Sequence, residues 1–163
     1  MKKIKIELKW AIIFTIFTLV WWLLEKTLGW HDEKILNHFW LTLLFLPFVI
    51  FMYVLAIREK RRRFYNKKIT WKQGFLSGLL LSIFIAALSP IAQYITHNFI
   101  TPEFFVNVKE SSITNNLMTL ESANHYFSLT GYMYRSVISS IVGGSFVSAL
   151  VALLLRRKAN TAD

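Results

Sequence analysis

The sequence predicts an all-α, polytopic membrane protein: a four-transmembrane-helix bundle with an extra amphipathic helical segment between spans three and four. Three observations carry that class. Four stretches meet or approach the roughly 20 mainly apolar residues that a membrane-spanning helix needs. Apolar residues make up 55% of the chain and charged ones 17%, whereas a soluble domain carries about 45–50% and about 25%. The basic residues also fall in blocks that alternate with the apolar stretches.

The length of 163 residues fits one integral membrane domain, with spans near 6–27, 37–58, 73–96 and 134–155. Span one holds an uncharged run from Trp10 to Leu24 behind Lys2, Lys3 and Lys5. It ends in Val20-Trp21-Trp22-Leu23-Leu24 without a small-x-small cleavage site, so it reads as a retained helix and not a signal peptide. Span two is uncharged from Phe39 to Ile57, span three from Phe75 to Thr96, and span four from Val137 to Leu155. Pro47 and Pro90 remove helix hydrogen bonds inside spans two and three and predict kinks there.

Residues 58–72 form a basic loop and residues 97–133 an outer segment. In the latter, Thr101-Pro102-Glu103 predicts a helix start. Val106, Ile113, Leu117, Leu120 and Phe127 recur with helical spacing and predict an apolar face lying on the bundle or in the headgroups. Ser111-Ser112 and Thr114-Asn115-Asn116 are places where that segment can break in two.

Lys and Arg set the expected orientation. The N-terminus carries Lys2, Lys3, Lys5 and Lys9, and the C-terminus Arg156, Arg157 and Lys158. The loop carries Arg58, Lys60, Arg61, Arg62, Arg63, Lys67, Lys68 and Lys72, while the opposite side has only Lys26, Lys34, Lys109 and Arg135. Both termini and the loop are therefore expected in the cytoplasm, with the protein in the inner (plasma) membrane. The tryptophans sit near span ends, where indole rings prefer the headgroup level: Trp10 and Trp71 inside, Trp21, Trp22, Trp30 and Trp40 outside.

Lipid gives helices no hydrophobic reason to associate, so close packing depends on small residues. Gly74, Gly78, Ser82 and Ala86 stand four apart in span three; Ser136, Ser140, Gly144, Ser148 and Ala152 do so in span four. Gly143 and Ser139 widen the second stripe. The stripes predict a tight contact between these spans, with a homodimer seam as the other reading.

No catalytic, cofactor-binding or metal-ligating set is assigned. There is no Cys, hence no thiol nucleophile or thiolate site. His31, His38, His97 and His125 all map to the outer side, but none lies at the short spacing of a metal motif, so they read as ordinary interfacial histidines. Glu25 and Arg135, at the outer ends of spans one and four, form a candidate ion pair. The span centres carry no Asp, Glu, Lys, Arg or His, which argues against a proton relay. Arg58, Lys60, Arg61, Arg62, Arg63, Lys67 and Lys68 are candidate contacts for anionic lipid headgroups. Nucleic acid is not expected as a partner of so short a loop beside a bilayer.

Several short motifs, in order, carry a resemblance. They are the basic N-terminus, Tyr53-Val54-Leu55-Ala56-Ile57-Arg58-Glu59-Lys60-Arg61, Ile69-Thr70-Trp71-Lys72-Gln73-Gly74-Phe75-Leu76-Ser77-Gly78, and Ile100-Thr101-Pro102-Glu103-Phe104. Together they resemble the small four-helix bacterial membrane proteins of domain of unknown function 4199, common in the Bacteroidota. The resemblance implies the topology and a bacterial inner-membrane address, and no site residues. The expected role is a non-enzymatic accessory or scaffold subunit of the cell envelope, bound to lipid and to a second copy or another membrane protein. The alternatives are a small dimeric transporter or channel, and a membrane enzyme or lipid-binding protein.

Overall fold

The structure, a computed structural model, describes residues 4–157; Lys2, Lys3 and Lys158 lie outside the described residues. Four helices are long and apolar enough to cross a membrane: Lys5–Thr27, Ile35–Arg63, Trp71–Ile100 and Leu129–Leu155. In finer detail these are α1 (Lys5–Thr27), α2 (His38–Thr42) with α3 (Leu46–Arg63), α4 (Trp71–Ile95) and α7 (Leu129–Leu155), while α5 (Phe104–Thr114) and α6 (Leu120–Tyr126) connect the last two spans.

The prolines shape two spans differently. Pro47 sits in the first turn of α3, where a missing N–H costs nothing. The carbonyl it would have served, on Leu43, takes the Leu46 N–H through a 3₁₀ turn over Leu43–Phe45. Span two is therefore jointed, and α2 and α3 are separate pieces. Pro90 leaves α4 continuous. The Ala86 carbonyl it frees accepts from the Ser89 hydroxyl at 2.9 Å instead. Past Ile95 the chain widens into a π turn over Thr96–Ile100.

Helices α4 and α7 make the most extensive contact in the bundle, and its geometry follows from the small residues. A Cβ on Gly74 would stand 3.0 Å from the Ala152 Cβ; one on Gly78 would collide with Ser148, and one on Gly144 with Ser82 and, at 2.6 Å, the Tyr53 hydroxyl. Further along, the Ser136 hydroxyl donates to Ser89 at 3.0 Å. Ala86 is buried in the same seam, and Ser140 is half-buried. Gly143 does not widen the seam: a Cβ there would meet nothing within 4 Å. Ser82 and Ser148 satisfy their own helices, donating to the Gly78 and Gly144 carbonyls at 2.9 and 2.5 Å. The apolar core gathers around Ala11, Tyr53, Ile57, Leu81, Ile85 and Val151.

The end of the bundle that carries the basic loop is tied by charge. Glu7 on α1 and Lys60 on α3 are both buried and pair at 2.9 Å, and Ser77 on α4 donates to Glu7 at 2.6 Å. Lys60 is thus withdrawn from the set of headgroup contacts, because a buried cation needs a counter-charge. Glu59 takes Lys9, the Trp10 indole at 2.7 Å and Arg63 at 3.2 Å. Arg61 donates to the Leu155 carbonyl at 3.0 Å. The Arg157 amide donates to the Ile69 carbonyl at 2.9 Å, which fastens the end of α7 to the loop.

The opposite, capped end departs from the periodic pattern. Helix α5 begins at Phe104, without a side-chain cap. Thr101 does not cap it; it is buried and its amide closes the π turn onto the Thr96 carbonyl at 2.8 Å. Asn116 takes a left-handed φ of 56° between α5 and α6. One helical phase therefore cannot run through the segment. Val106, Leu117 and Leu120 stand 57, 66 and 64% exposed, while Phe104, Ala123 and Phe127 supply the buried face.

Two outcomes follow for stability in detergent. Gly78→Val is expected to cost about 1–3 kcal/mol by overpacking the α4–α7 seam, while Gly143→Val melts close to wild type; equal melting temperatures for the two variants would contradict this packing. Glu7→Ala strands the Lys60 charge and is expected to cost about 3–5 kcal/mol. The double variant Glu7→Ala/Lys60→Met recovers most of that loss, and strictly additive losses in denaturation curves would refute the pairing.

Candidate functional site

The capped end is built from the last turn of α1 outward. Glu25 and Trp21 are four apart on α1 and share a face. After Thr27 the helix closes in a Schellman turn: the Gly29 amide bonds the Lys26 carbonyl at 3.0 Å, and the Trp30 amide bonds the Glu25 carbonyl at 3.0 Å. Gly29 sits at φ 73°, and a Cβ there would meet nothing within 4 Å, so the position needs glycine for its backbone and not for space. The turn carries the chain back over the helix and delivers His31 onto Glu25. A 3₁₀ turn over Ile35–Asn37 then leads into α2, where His38 and Thr42 are again four apart.

Glu25 and His31 are fully buried and the His38 side chain is 15% exposed. A carboxylate without solvent must be met by donors. Glu25 Oε1 accepts from Trp21 Nε1 at 2.6 Å and from Thr42 Oγ1 at 2.6 Å. Glu25 Oε2 faces His31 Nε2 at 3.2 Å and His38 Nε2 at 3.4 Å. Buried nitrogens remain without a hydrogen-bond partner: His31 Nδ1, His38 Nε2 and His97 Nδ1. One ligand-type atom from each of Glu25, His31 and His38 lies within 4.8 Å of the other two.

An aromatic lid covers this cluster. Phe104, fully buried at the start of α5, places its ring 5.3 Å from His31, 5.1 Å from His38 and 5.2 Å from His97. Trp22 closes the other contacts, at 5.0 Å from His31 and 5.7 Å from His38. His97 comes from the π turn, and its Nε2 is held by Gln93 Oε1 at 3.1 Å. Asn107 locks the lid to the turn by donating to the His31 carbonyl at 3.0 Å and to Asp32 at 2.7 Å. His125 is exposed on α6, apart from these groups.

Beside the cluster lies a cleft of about 490 Å³ to which all four spans contribute. Its walls are mostly apolar, with Phe14, Phe39, Phe45 and Ile85; His38, Thr42, Gln93, Arg135 and Ser136 bring polar groups to it. Ser139 and Ser140 line this cleft.

The structure does not join Glu25 to Arg135. Glu25 spends both oxygens on the groups above. Arg135 donates to the Tyr126 carbonyl at 2.7 Å and stacks over the Tyr126 and Tyr132 rings at 4.2 and 4.7 Å. Similar depth in sequence did not bring them together, because the Schellman turn supplied nearer donors. Trp21 and Trp30 are likewise buried parts of this end and not headgroup anchors. At the other end Arg58, Arg61, Arg62, Lys67 and Arg157 line one recess. Arg63 leans on Glu59, and Lys68 is exposed outside that recess.

A family model described as "Protein of unknown function (DUF4199)" matches residues 9–157, and the chain belongs to that family. No curated protein and no solved structure matches it.

The lid makes a direct expectation. Phe104→Ala is expected to cost about 3–5 kcal/mol and to admit water to Trp22, shifting the tryptophan emission to the red. A wild-type spectrum in a stably folded variant would show that Phe104 does not seal this end.

Proposed function

We propose that this member of the family is a non-enzymatic, multi-pass inner-membrane protein that holds a lipid-like amphiphile in the cleft between its four spans. The cleft carries the reading. A volume of about 490 Å³ falls in the range of small-molecule sites, roughly 300–1,000 Å³. Phenylalanine walls suit an acyl or prenyl chain, while Arg135, Gln93 and Ser136 suit a polar or anionic head. Membership of the family is compatible with this and specifies no ligand.

The proposed orientation puts both termini and the basic loop in the cytoplasm. The recess lined by Arg58, Arg61, Arg62, Lys67 and Arg157 supports it, since five cations converge there on one face. Anionic headgroups would be attracted by about 1 kcal/mol per basic residue near the surface. The accessory-subunit reading draws less support: the small-residue faces of α4 and α7 are occupied by one another inside a single chain.

The test is native mass spectrometry of the protein extracted in mild detergent, with lipid extraction of the same sample. The wild type is expected to retain a discrete amphiphile, and Ser139→Trp, which fills the cleft, to lose it while keeping its helical circular dichroism. Equal retention by both proteins would sink the proposal.

A further inference from the structure

We propose that Glu25, His31 and His38 form a binding site for a divalent first-row transition-metal ion, with zinc the best match to the donor set. The inference rests on the side-chain geometry of the capped end and does not depend on what the cleft holds.

The spacing is the first argument. Zinc binds imidazole nitrogen and carboxylate oxygen at about 2.0–2.2 Å, which puts adjacent donors of a tetrahedral site about 3.3 Å apart. Glu25 Oε2 already stands 3.2 Å from His31 Nε2 and 3.4 Å from His38 Nε2. The three donor atoms fall within 4.8 Å of one another, so the edge between the imidazoles closes by rotation of the half-buried His38 ring.

The hydrogen-bond ledger is the second argument. Two imidazoles aim at one carboxylate oxygen. His31 bonds to it, while His38 Nε2 remains buried without a hydrogen bond. A dication at the common focus gives both nitrogens and the oxygen a partner at once.

The surroundings are the third. Trp21 and Thr42 hold Oε1, which fixes the carboxylate plane and leaves Oε2 to face inward. Ligating carboxylates characteristically receive such outer support, and its loss weakens metal binding. Phe104 and Trp22 keep the site dry on one side. His38 and Thr42 also line the cleft, so a fourth coordination position opens toward it. Two histidines and one carboxylate with an open position are a transition-metal donor set; calcium and magnesium prefer all-oxygen ligands. His97 is left out of the donor triad: Gln93 holds its Nε2, and the donor atoms within 4.8 Å of one another are those of Glu25, His31 and His38.

The experiment uses the untagged full chain in mild detergent, stripped with chelator and titrated with Co²⁺ and then Zn²⁺. The expected result is one equivalent of cobalt with the intense visible bands of a four-coordinate ion, displaced by zinc. X-ray absorption of the zinc form is expected to show N/O donors at about 2.0 Å with imidazole scattering. His31→Gln and His38→Gln are expected to weaken binding at least about tenfold, while His125→Gln, on exposed α6, binds as wild type. The wild-type titration and absorption spectrum decide the matter even if a triad variant fails to fold. Substoichiometric cobalt, or a six-coordinate spectrum unchanged in both triad variants, would overturn the site. Ser139→Trp, on α7, leaves all three ligands in place and is expected to retain one equivalent of cobalt, so loss of the amphiphile and loss of the metal are read separately.

Discussion

A carboxylate sealed from water at Glu25 imposes its requirement on everything around it. An unpaired charge in so apolar a setting costs several kcal/mol, so the chain must return donors to that point. It does so from three directions: Trp21 along the same helix, His31 from the turn, and Thr42 from the broken start of span two, where His38 Nε2 also stands 3.4 Å from the carboxylate. The Schellman turn at Gly29, the joint before Pro47 and the Phe104 lid all serve this one placement. Without the left-handed residue at position 29, His31 would be carried away from the axis of α1.

The two ends of the bundle solve related problems with different chemistry. At the loop end Glu7 is answered by a lysine and a serine, a closed pair that links α1, α3 and α4. At the capped end the facing groups are imidazoles, a side chain that also ligates metals. Between the ends, α4 and α7 meet through glycine, serine and alanine with almost no intervening side chain. Close backbone approach there supplies packing where lipid offers no hydrophobic drive. The bundle is thus packed most closely along α4 and α7, and all four spans share the walls of the cleft.

Much of the architecture was legible in the sequence. Apolar runs of bilayer length announced the four spans, and four-residue spacing of small side chains announced the faces that α4 and α7 turn to each other. The site was less legible, for physical reasons. Glu7 lay at the edge of an apolar run and gave no sign that Lys60, more than fifty positions away, would neutralise it. His31 and His38, seven apart, matched no helical metal spacing because a turn, and not a helix, joins them. The usable signal was compositional: three carboxylates and two histidines packed into residues 25–38 around a single glycine. The break in the outer segment at Thr114-Asn115-Asn116 was legible, since α5 ends at Thr114 and Asn116 resets the helical phase before α6; which apolar residues are buried was not.

Among the described residues, the groups that face the Glu25 carboxylate all come from one contiguous hairpin, residues 21–42. This bears on biogenesis. A membrane protein is delivered to the bilayer from its N-terminus while the rest is still being translated, and a bare carboxylate resists that transfer. Here the first two spans carry the groups that face Glu25, so that set is complete in the chain before α4 and α7 are made. The aromatic lid arrives only with α5, after the third span is in place.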